Sequence, residues 1–139
     1  MATEVWKEFE ENGLTHSAAH HLQAVLALHD QRGYARVTDV AKYLSITTGS
    51  ASTNLKSLKA KGLIAEDENK FLNLTDEGIK LARLVIRRKK AIKTFLIEVL
   101  QVSESQAEID ACKTEHLISI ETTAKLESFM KENAVSVAA

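Results

Sequence analysis

The chain has 139 residues, of which 45% are hydrophobic and 27% charged, a balance that is typical of globular proteins and excludes a disordered chain. It has no run of about 18 apolar residues and its N-terminus is acidic, so the sequence predicts neither a membrane-spanning helix nor a secretory signal. The net charge of -1 excludes a protein that is basic throughout, and a single cysteine excludes an internal disulfide, which favours the cytoplasm.

Three helices are predicted in the first half of the chain from apolar residues at helical spacing, and the absence of proline agrees with a mainly helical protein. They are residues 16–31, a short helix from Val37, and residues 50–61, with a turn at residues 45–49 before the last one. The predicted N-caps are Thr15 or Ser17 for the first helix and Thr38 for the second, while Gly33 and Gly62 end the first and the third.

Two short strands and three more helices are predicted in the rest of the chain. The strands are residues 63–66 and 70–74, and the helices are residues 75–99, 103–118 and 120–132, the last with Ser119 as its cap. Helix, short helix, turn, helix and two-stranded wing in this order predict a mainly α fold, a winged helix-turn-helix followed by a helical dimerisation domain. The predicted domains are residues 1–74 and residues 75–139.

The third helix is the predicted recognition helix, because the second helix of such a pair enters the major groove of DNA. Its first residues are small and polar, which allows a close approach to the bases, and Asn54 has an amide suited to adenine. A helical hairpin with solvated polar faces is the alternative, which the wing disfavours. The candidate DNA-binding residues are Thr47, Thr48, Gly49, Ser50, Thr53 and Asn54 near bases, and Arg36, Lys56, Lys59 and Lys61 near phosphates.

Charge is distributed unevenly along the chain. Residues 31–63 carry six basic side chains against Asp39 alone, and residues 80–93 carry seven basic side chains and no acid. Residues 98–132 reverse the balance, with eight acids and three lysines. A basic front and an acidic back suit a protein that docks one face on phosphate, although ordinary solvated helix faces give the same pattern.

Cys112, Glu115 and His116, here called the Cys112 cluster, follow the spacing i, i+3 and i+4. A helix places such residues on one face. A thiolate, a carboxylate and an imidazole on one face form a ligand set for a divalent transition metal. The plainer interpretation is a buried cysteine beside a chance pair of glutamate and histidine.

Four segments occur in a fixed order around the helix-turn-helix, over about residues 15–132. They read SAAHHL at 17–22, GYARV at 33–37, LTDEG at 74–78 and ACKTEH at 111–116. In this order they resemble the diphtheria toxin repressor family of iron- and manganese-dependent regulators. The resemblance implies that a first-helix residue, here His20, joins the Cys112 cluster on one metal ion. It further implies that this ion is the corepressor of a homodimer that binds double-stranded DNA at a palindromic operator.

The chain departs from the family at a second, ancillary metal site. The family often has a histidine and a carboxylate on the long helix, and the matching residues here are Lys89 and Lys93, whose ammonium groups repel a metal ion. Glu108 still stands at an ancillary position, and Gln23 replaces a carboxylate of the manganese-type members. We therefore predict one metal per subunit, with Lys89 or Lys93 paired to Glu108 in place of a second ion.

The expected metal is iron(II), then manganese(II), with zinc as an occupant in vitro. Family precedent is iron or manganese, whereas a thiolate disfavours manganese relative to iron or zinc. His16, one turn before His20, and His21 are neighbouring imidazoles that either touch the site or serve the helix. The predicted dimer face, some of which must be monomer core, consists of Phe95, Leu96, Val99, Leu100, Leu117, Ile118, Leu126, Phe129 and Met130.

Three other functions are compatible with parts of the sequence. The first is a metal-independent winged-helix regulator with a decayed site that responds to a small molecule or a partner. The second is a metalloenzyme, disfavoured because the chain has no glycine-rich phosphate loop and no acid–base pair beyond the ligands. The third is a protein-interaction module, disfavoured by the basic stretch. In the N-terminal segment, residues 1–14, the apolar side chains of Val5, Trp6 and Phe9 predict a short amphipathic helix.

Overall fold

A computed structural model describes residues 14–133, as six helices and a two-stranded sheet. The order of these elements confirms the predicted winged helix-turn-helix followed by helices. Within these residues, no helix combines the length and the apolar character needed to cross a bilayer. The predictions for Val5, Trp6, Phe9 and the chain end lie outside the described residues. The elements are α1 (His16–Arg32), α2 (Val37–Leu44), α3 (Thr48–Ala60), β1 (Ile64–Glu66), β2 (Leu72–Leu74), α4 (Asp76–Glu98), α5 (Glu104–Thr114) and α6 (Ile120–Glu132).

The ends of α1 are set by residues that the sequence analysis named. Thr15 is the N-cap, and its hydroxyl oxygen accepts a hydrogen bond from a first-turn N–H (3.1 Å). Gly33 ends the helix with a φ of 79°, a left-handed conformation that costs little without a side chain. Ser119 caps α6 as predicted, and Ser103 caps α5 in the same way. Local side-chain chemistry therefore explains these helix ends.

The predicted cap of α2 is wrong. Thr38 lies inside the helix, which begins at Val37. Arg36 is the N-cap residue, and the Asp39 carboxylate, three positions on, accepts a hydrogen bond from its backbone N–H (2.9 Å), as in a capping box. A carboxylate in the first turn also suits the positive end of the helix dipole.

Two other predicted boundaries are also wrong. The helix α3 begins before Ser50, because the Thr47 hydroxyl accepts the Ser50 N–H (3.1 Å) and caps the helix there. The helix α5 ends at Thr114, short of the predicted residue 118. Beyond it, the Leu117 N–H donates to the Thr114 carbonyl (3.0 Å), an i to i+3 bond that tightens the chain into a turn.

The wing is an antiparallel pair in which Glu66 of β1 faces Leu72 of β2. The Leu72 N–H donates to the Ala35 carbonyl (2.8 Å), so the wing is also bonded to the loop before α2. The ring of His29 in α1 holds the Leu72 carbonyl through Nε2 (2.6 Å). These hydrogen bonds hold the wing beside α1 and beside the loop before α2.

The described residues form two compact units, and the boundary between them lies within α4, after Arg83. The first unit contains residues 15–83, and the second contains Leu14 and residues 84–133. Apolar side chains from α1, α2, α3 and both strands form the core of the first unit. The largest of them, all at most 2% exposed, are Leu22, Val25, Val40, Leu55, Leu58, Ile64 and Leu72.

Gly78 marks a close approach between α4 and the start of the wing. A Cβ atom at this position would overlap the Leu63 carbonyl, which already accepts a hydrogen bond from the Thr75 N–H (3.1 Å). The first turns of α4 therefore pack within the first unit.

The second unit joins the rest of α4 to α5 and α6. Val85 of α4 and Met130 of α6 are fully buried, as are the small residues Ala107 and Ala111 of α5. Arg87 of α4 and Glu127 of α6 form a two-pronged ion pair, with Nε 2.9 Å from Oε2 and Nη2 2.6 Å from Oε1. This hydrogen-bonded pairing holds the pKa of Glu127 below its usual value.

Candidate metal centre and DNA-binding surface

The Cys112 cluster lies at the C-terminal end of α5. Cys112 is in the last turns of the helix, and Glu115 follows with helical backbone angles (φ -57°, ψ -28°). The i, i+3 spacing therefore still places Cys112 and Glu115 on the same face, although Glu115 lies just past the end of α5. The side chain of Glu115 is fully buried, whereas Cys112 and His116 are half-buried. One short segment of the second unit thus presents all three predicted ligands.

The cluster places the buried Glu115 carboxylate close to the Cys112 thiol. Burial raises the pKa of the Cys112 thiol, the charge of Glu115 raises it further, and Lys89 acts in the opposite direction. Because sulfur, carboxylate oxygen and imidazole nitrogen all suit a divalent transition ion, this donor set fits a metal.

Glu108 lies one turn before Cys112 and holds both lysines singled out in the sequence. Lys89 Nζ pairs with Glu108 Oε1, and Lys93 Nζ lies 2.8 Å from Oε2. The hydrogen bonds from both lysines lower the pKa of Glu108. Burial lowers the pKa of Lys89, but the hydrogen bond to Glu108 and the negative charges nearby outweigh it, so that pKa is raised. The predicted ion pair is present, and it uses both lysines.

His20 and Gln23 lie on α1, in the first unit. His20 is half-buried, and its ring meets the exposed ring of His16 one turn earlier, with centroids 4.5 Å apart at 61°. Gln23 Nε2 donates to a carbonyl of its own helix (3.3 Å). That His20 and the Cys112 cluster share an ion stays a prediction.

Ser17 connects α1 to the recognition helix α3. Its hydroxyl donates to the amide oxygen of Asn54 (3.1 Å), and Asn54 Nδ2 donates to the Ser50 carbonyl (3.0 Å). Both polar groups of the amide expected to read adenine are therefore bound within the protein. The Ser17 carbonyl lies 2.6 Å from Nδ1 of His21, which is 2% exposed and so belongs to the core of the first unit.

The other residues predicted to meet bases form the N-terminal turns of α3. The Thr47 hydroxyl is used in capping, and the Thr53 hydroxyl donates to the Gly49 carbonyl (3.1 Å). Their exposure leaves the surface of these turns open to a groove of DNA. The exposed set is Thr47, Thr48, Gly49, Ser50 and Thr53.

The cationic side chains predicted to face phosphates differ in whether an acidic side chain of the protein pairs with them. Lys59 lies 3.5 Å from the Glu66 carboxylate of β1. Lys56 and Arg36 are exposed and make no ion pair within residues 14–133. The Arg36 guanidinium instead lies over the ring of Phe71, 4.5 Å from its centroid.

Two residues of this surface, Ser17 and Phe71, were absent from the predicted set. Ser17 is 37 positions from its partner Asn54, and Phe71 is in the wing, far along the chain from Arg36. Contacts between such distant residues leave no local pattern in a sequence. Only the assembled first unit shows them.

The chain is similar to known families of regulators. Residues 75–136 match the metal binding and dimerisation domain of the iron dependent repressor family, and residues 12–70 match the MarR family. Over 97 residues the chain is 33% identical to an uncharacterised HTH-type transcriptional regulator of Methanocaldococcus jannaschii, covering 70% of this chain and 78% of the relative. Over 122 residues it is 30% identical to the HTH-type transcriptional regulator MntR of Lysinibacillus sphaericus, covering 86% and 87%.

Among solved structures, the manganese regulator SloR resembles this chain with a TM-score of 0.74 and 22% identity. The match covers 82% of this chain and 53% of SloR, so the chain spans about half the length of that protein. At this identity the likeness supports the fold. Both curated relatives are named as transcriptional regulators, which gives no support to the metalloenzyme alternative.

Proposed function

The chain belongs to the diphtheria toxin repressor family of metal-dependent transcriptional regulators, and from this membership we propose that a divalent transition metal is its corepressor. The observation that carries the proposal is the fully buried Glu115 carboxylate between Cys112 and His116. Three different ligand types in one short segment fit a divalent transition ion, whereas a decayed site would have no use for them. The alternative of a metal-independent regulator is therefore disfavoured.

Cys112, Glu115 and His116 would hold the ion, and we propose His20 of the first unit as the fourth ligand. When bound, the ion supplies the positive charge that compensates Glu115 and the thiolate. Ligands drawn from both units favour the conformations in which those ligands are close together, and so select among arrangements of the DNA-binding units. By linkage, DNA must then strengthen metal binding by the same factor by which metal strengthens DNA binding.

We assign DNA binding to residues 1–74, and metal binding and dimerisation to residues 75–139. The family matches at residues 12–70 and 75–136 support this division. A homodimer of such units would bind a palindromic operator in the cytoplasm, since two-fold symmetric recognition helices match two half-sites. Of the predicted dimer face, Met130 is fully buried and belongs to the core. The large apolar residues of that face that remain exposed are Val99, Leu100, Leu117 and Phe129.

A titration of DNA binding against metal tests the proposal. We expect iron(II), and then manganese(II), to tighten the binding of genomic promoter fragments by about 5- to 150-fold, the usual range of coupling between two ligands. Fluorescence anisotropy under anaerobic conditions, with zinc(II) and a chelator as comparisons, measures this effect. An affinity that none of the three metals changes would favour the metal-independent regulator.

We further expect one metal ion per subunit. The ammonium groups of Lys89 and Lys93 bind the oxygens of Glu108 and repel a second cation there. Anomalous scattering from crystals soaked in excess manganese(II) should show one strong peak per subunit. The double variant Lys89→Ala/Lys93→Ala is the matched comparison, because it leaves Glu108 without its cations. Two strong peaks in the unmodified protein would contradict the expectation.

A further inference from the structure

The wing carries a stack of arginine and aromatic side chains next to its turn, where Phe71 pairs with Asp67 and meets the loop before α2. Building on the proposed DNA binding, we infer that Arg36, held on the ring of Phe71, is a phosphate-binding point for duplex DNA. Phe71 is the positioning residue of this point. The tip of the wing, residues 66–70, helps to hold Phe71 through Asp67, but its own charged side chains do not bind phosphate.

The stack fixes the Arg36 side chain. Its guanidinium lies over the face of Phe71 at 4.5 Å, and Tyr34 meets the same ring edge-to-face at 5.7 Å. Phe71 is fixed in turn, because its N–H donates to Asp67 Oδ1 (2.9 Å) and its carbonyl accepts the Asp67 N–H (3.0 Å). A stacked guanidinium keeps its N–H donors in a planar fork, and this fork matches two oxygens of a phosphate.

Arg32 is already paired with a carboxylate, whereas Arg36 is available to bind an anion. Arg32 lies over Tyr34 at 4.8 Å, but its Nη2 is 2.6 Å from Asp39 Oδ1 and its charge is compensated. The other oxygen of Asp39 accepts the backbone N–H of Arg36 (2.9 Å). The side chain of Arg36 makes no ion pair with Asp39 or with any other residue between 14 and 133. Its charge is therefore available to DNA.

The position of Arg36 in the fold suits a contact with the DNA backbone. It is the N-cap residue of α2, the first helix of the helix-turn-helix pair. In such modules the first helix crosses the phosphate backbone while the second enters the major groove. A cation at this end of α2 thus meets phosphate rather than base edges, and contributes to affinity without reading sequence.

The tip of the wing has the wrong charge for the same task. Glu66, Asp67 and Glu68 are consecutive, and Lys70 is the only cation beside them. Glu66 pairs with Lys59 (3.5 Å), and Asp67 accepts two backbone N–H groups within the turn. Glu68 is exposed, and like charges at short range repel. Contact with phosphate at the wing is therefore confined to Arg36 on the ring of Phe71 and excludes the acidic side chains of the tip.

The test is the salt dependence of binding to a random-sequence duplex of about 30 base pairs, in the presence of manganese(II), over roughly 50–200 mM salt. Arg36→Ala should lower the log–log slope by about 0.9 for each subunit, since one phosphate contact is lost. Arg32→Ala removes the same unit of charge and should leave the slope unchanged. Phe71→Leu should lower both the affinity and the slope, as Arg36→Ala does. Phe71→Tyr should keep both at the values of the unmodified protein, because the ring face is kept.

A slope for Arg36→Ala equal to that of the unmodified protein, or equal losses for Arg32→Ala and Arg36→Ala, would overturn the inference. Lys70→Ala should leave the slope unchanged, and a loss there would place the tip of the wing on DNA. Should thermal melting show that Phe71→Leu is unfolded, the two arginine variants decide. Failure of the unmodified protein to bind the duplex would instead refute the proposed DNA binding itself.

Discussion

His20→Ala is expected to abolish the metal-dependent gain in DNA affinity while leaving the fold and the dimer intact. His20 is the only proposed ligand in the first unit, so its loss removes the link between metal binding and the DNA-binding unit. The coupling of about 5- to 150-fold should fall to less than about twofold. Alanine keeps α1 helical, since it has the highest helix propensity. Anisotropy titrations with and without metal, together with light scattering for the dimer, measure the outcome.

His16→Ala is the matched control for this experiment. The His16 ring is exposed and lies against His20 at 4.5 Å, so the variant removes an adjacent imidazole from the same helix. We expect it to retain the response to metal. An unchanged response in His20→Ala would remove His20 from the ligand set, whereas an equal loss in His16→Ala would add His16 to it.

Gly78→Ala is expected to cause the largest loss of stability of any single methyl addition to the described glycines. The new Cβ would overlap the Leu63 carbonyl, and that carbonyl is held by the Thr75 N–H, so it cannot move without breaking a hydrogen bond. Overpacking of this kind costs about 1–3 kcal/mol, and backbone neighbours place the effect at the upper end. The Tm should fall by roughly 10 °C, as measured by calorimetry or circular dichroism.

Gly49→Ala provides the comparison for this prediction. Gly49 is also helical, in the first turn of α3, but no atom lies within 4 Å of a Cβ built there. Alanine has the higher helix propensity, so the free energy of unfolding should stay equal or rise slightly. A Tm for Gly78→Ala that matches that of Gly49→Ala would show that α4 can shift away from the wing.

The sequence predicted the helices well where their ends depend on nearby residues. Thr15, Gly33 and Ser119 act within one turn of the helix that they limit, so composition and spacing suffice to place them. The start of α3 was missed because residues 45–49 were assigned to the turn, whereas the Thr47 hydroxyl caps the helix there. The end of α5 was missed because Glu115 keeps helical angles after the α-helical hydrogen bonds have ended.

Contacts between distant residues were predicted only where the family resemblance supplied a register. The resemblance aligned Lys89 and Lys93 with Glu108, and the structure shows both ion pairs. No such register exists for the Arg36–Phe71 stack or for the bond between Ser17 and Asn54. These contacts depend on how the wing and α1 pack on the helix-turn-helix, which periodicity does not encode. The burial of Glu115 likewise depends on tertiary packing and could not be predicted from the sequence.

The two hydrogen bonds of Asn54 affect how the protein searches for its operator. During sliding along unrelated sequence, we expect phosphate contacts to hold the protein while the amide keeps its bonds to Ser17 and Ser50. At an adenine the amide exchanges two bonds for two, so the gain is smaller than for an unoccupied side chain. At any other base we expect the amide to keep its two bonds within the protein. If Asn54 faces a base as predicted, we therefore expect that operator position to tolerate several bases at little cost.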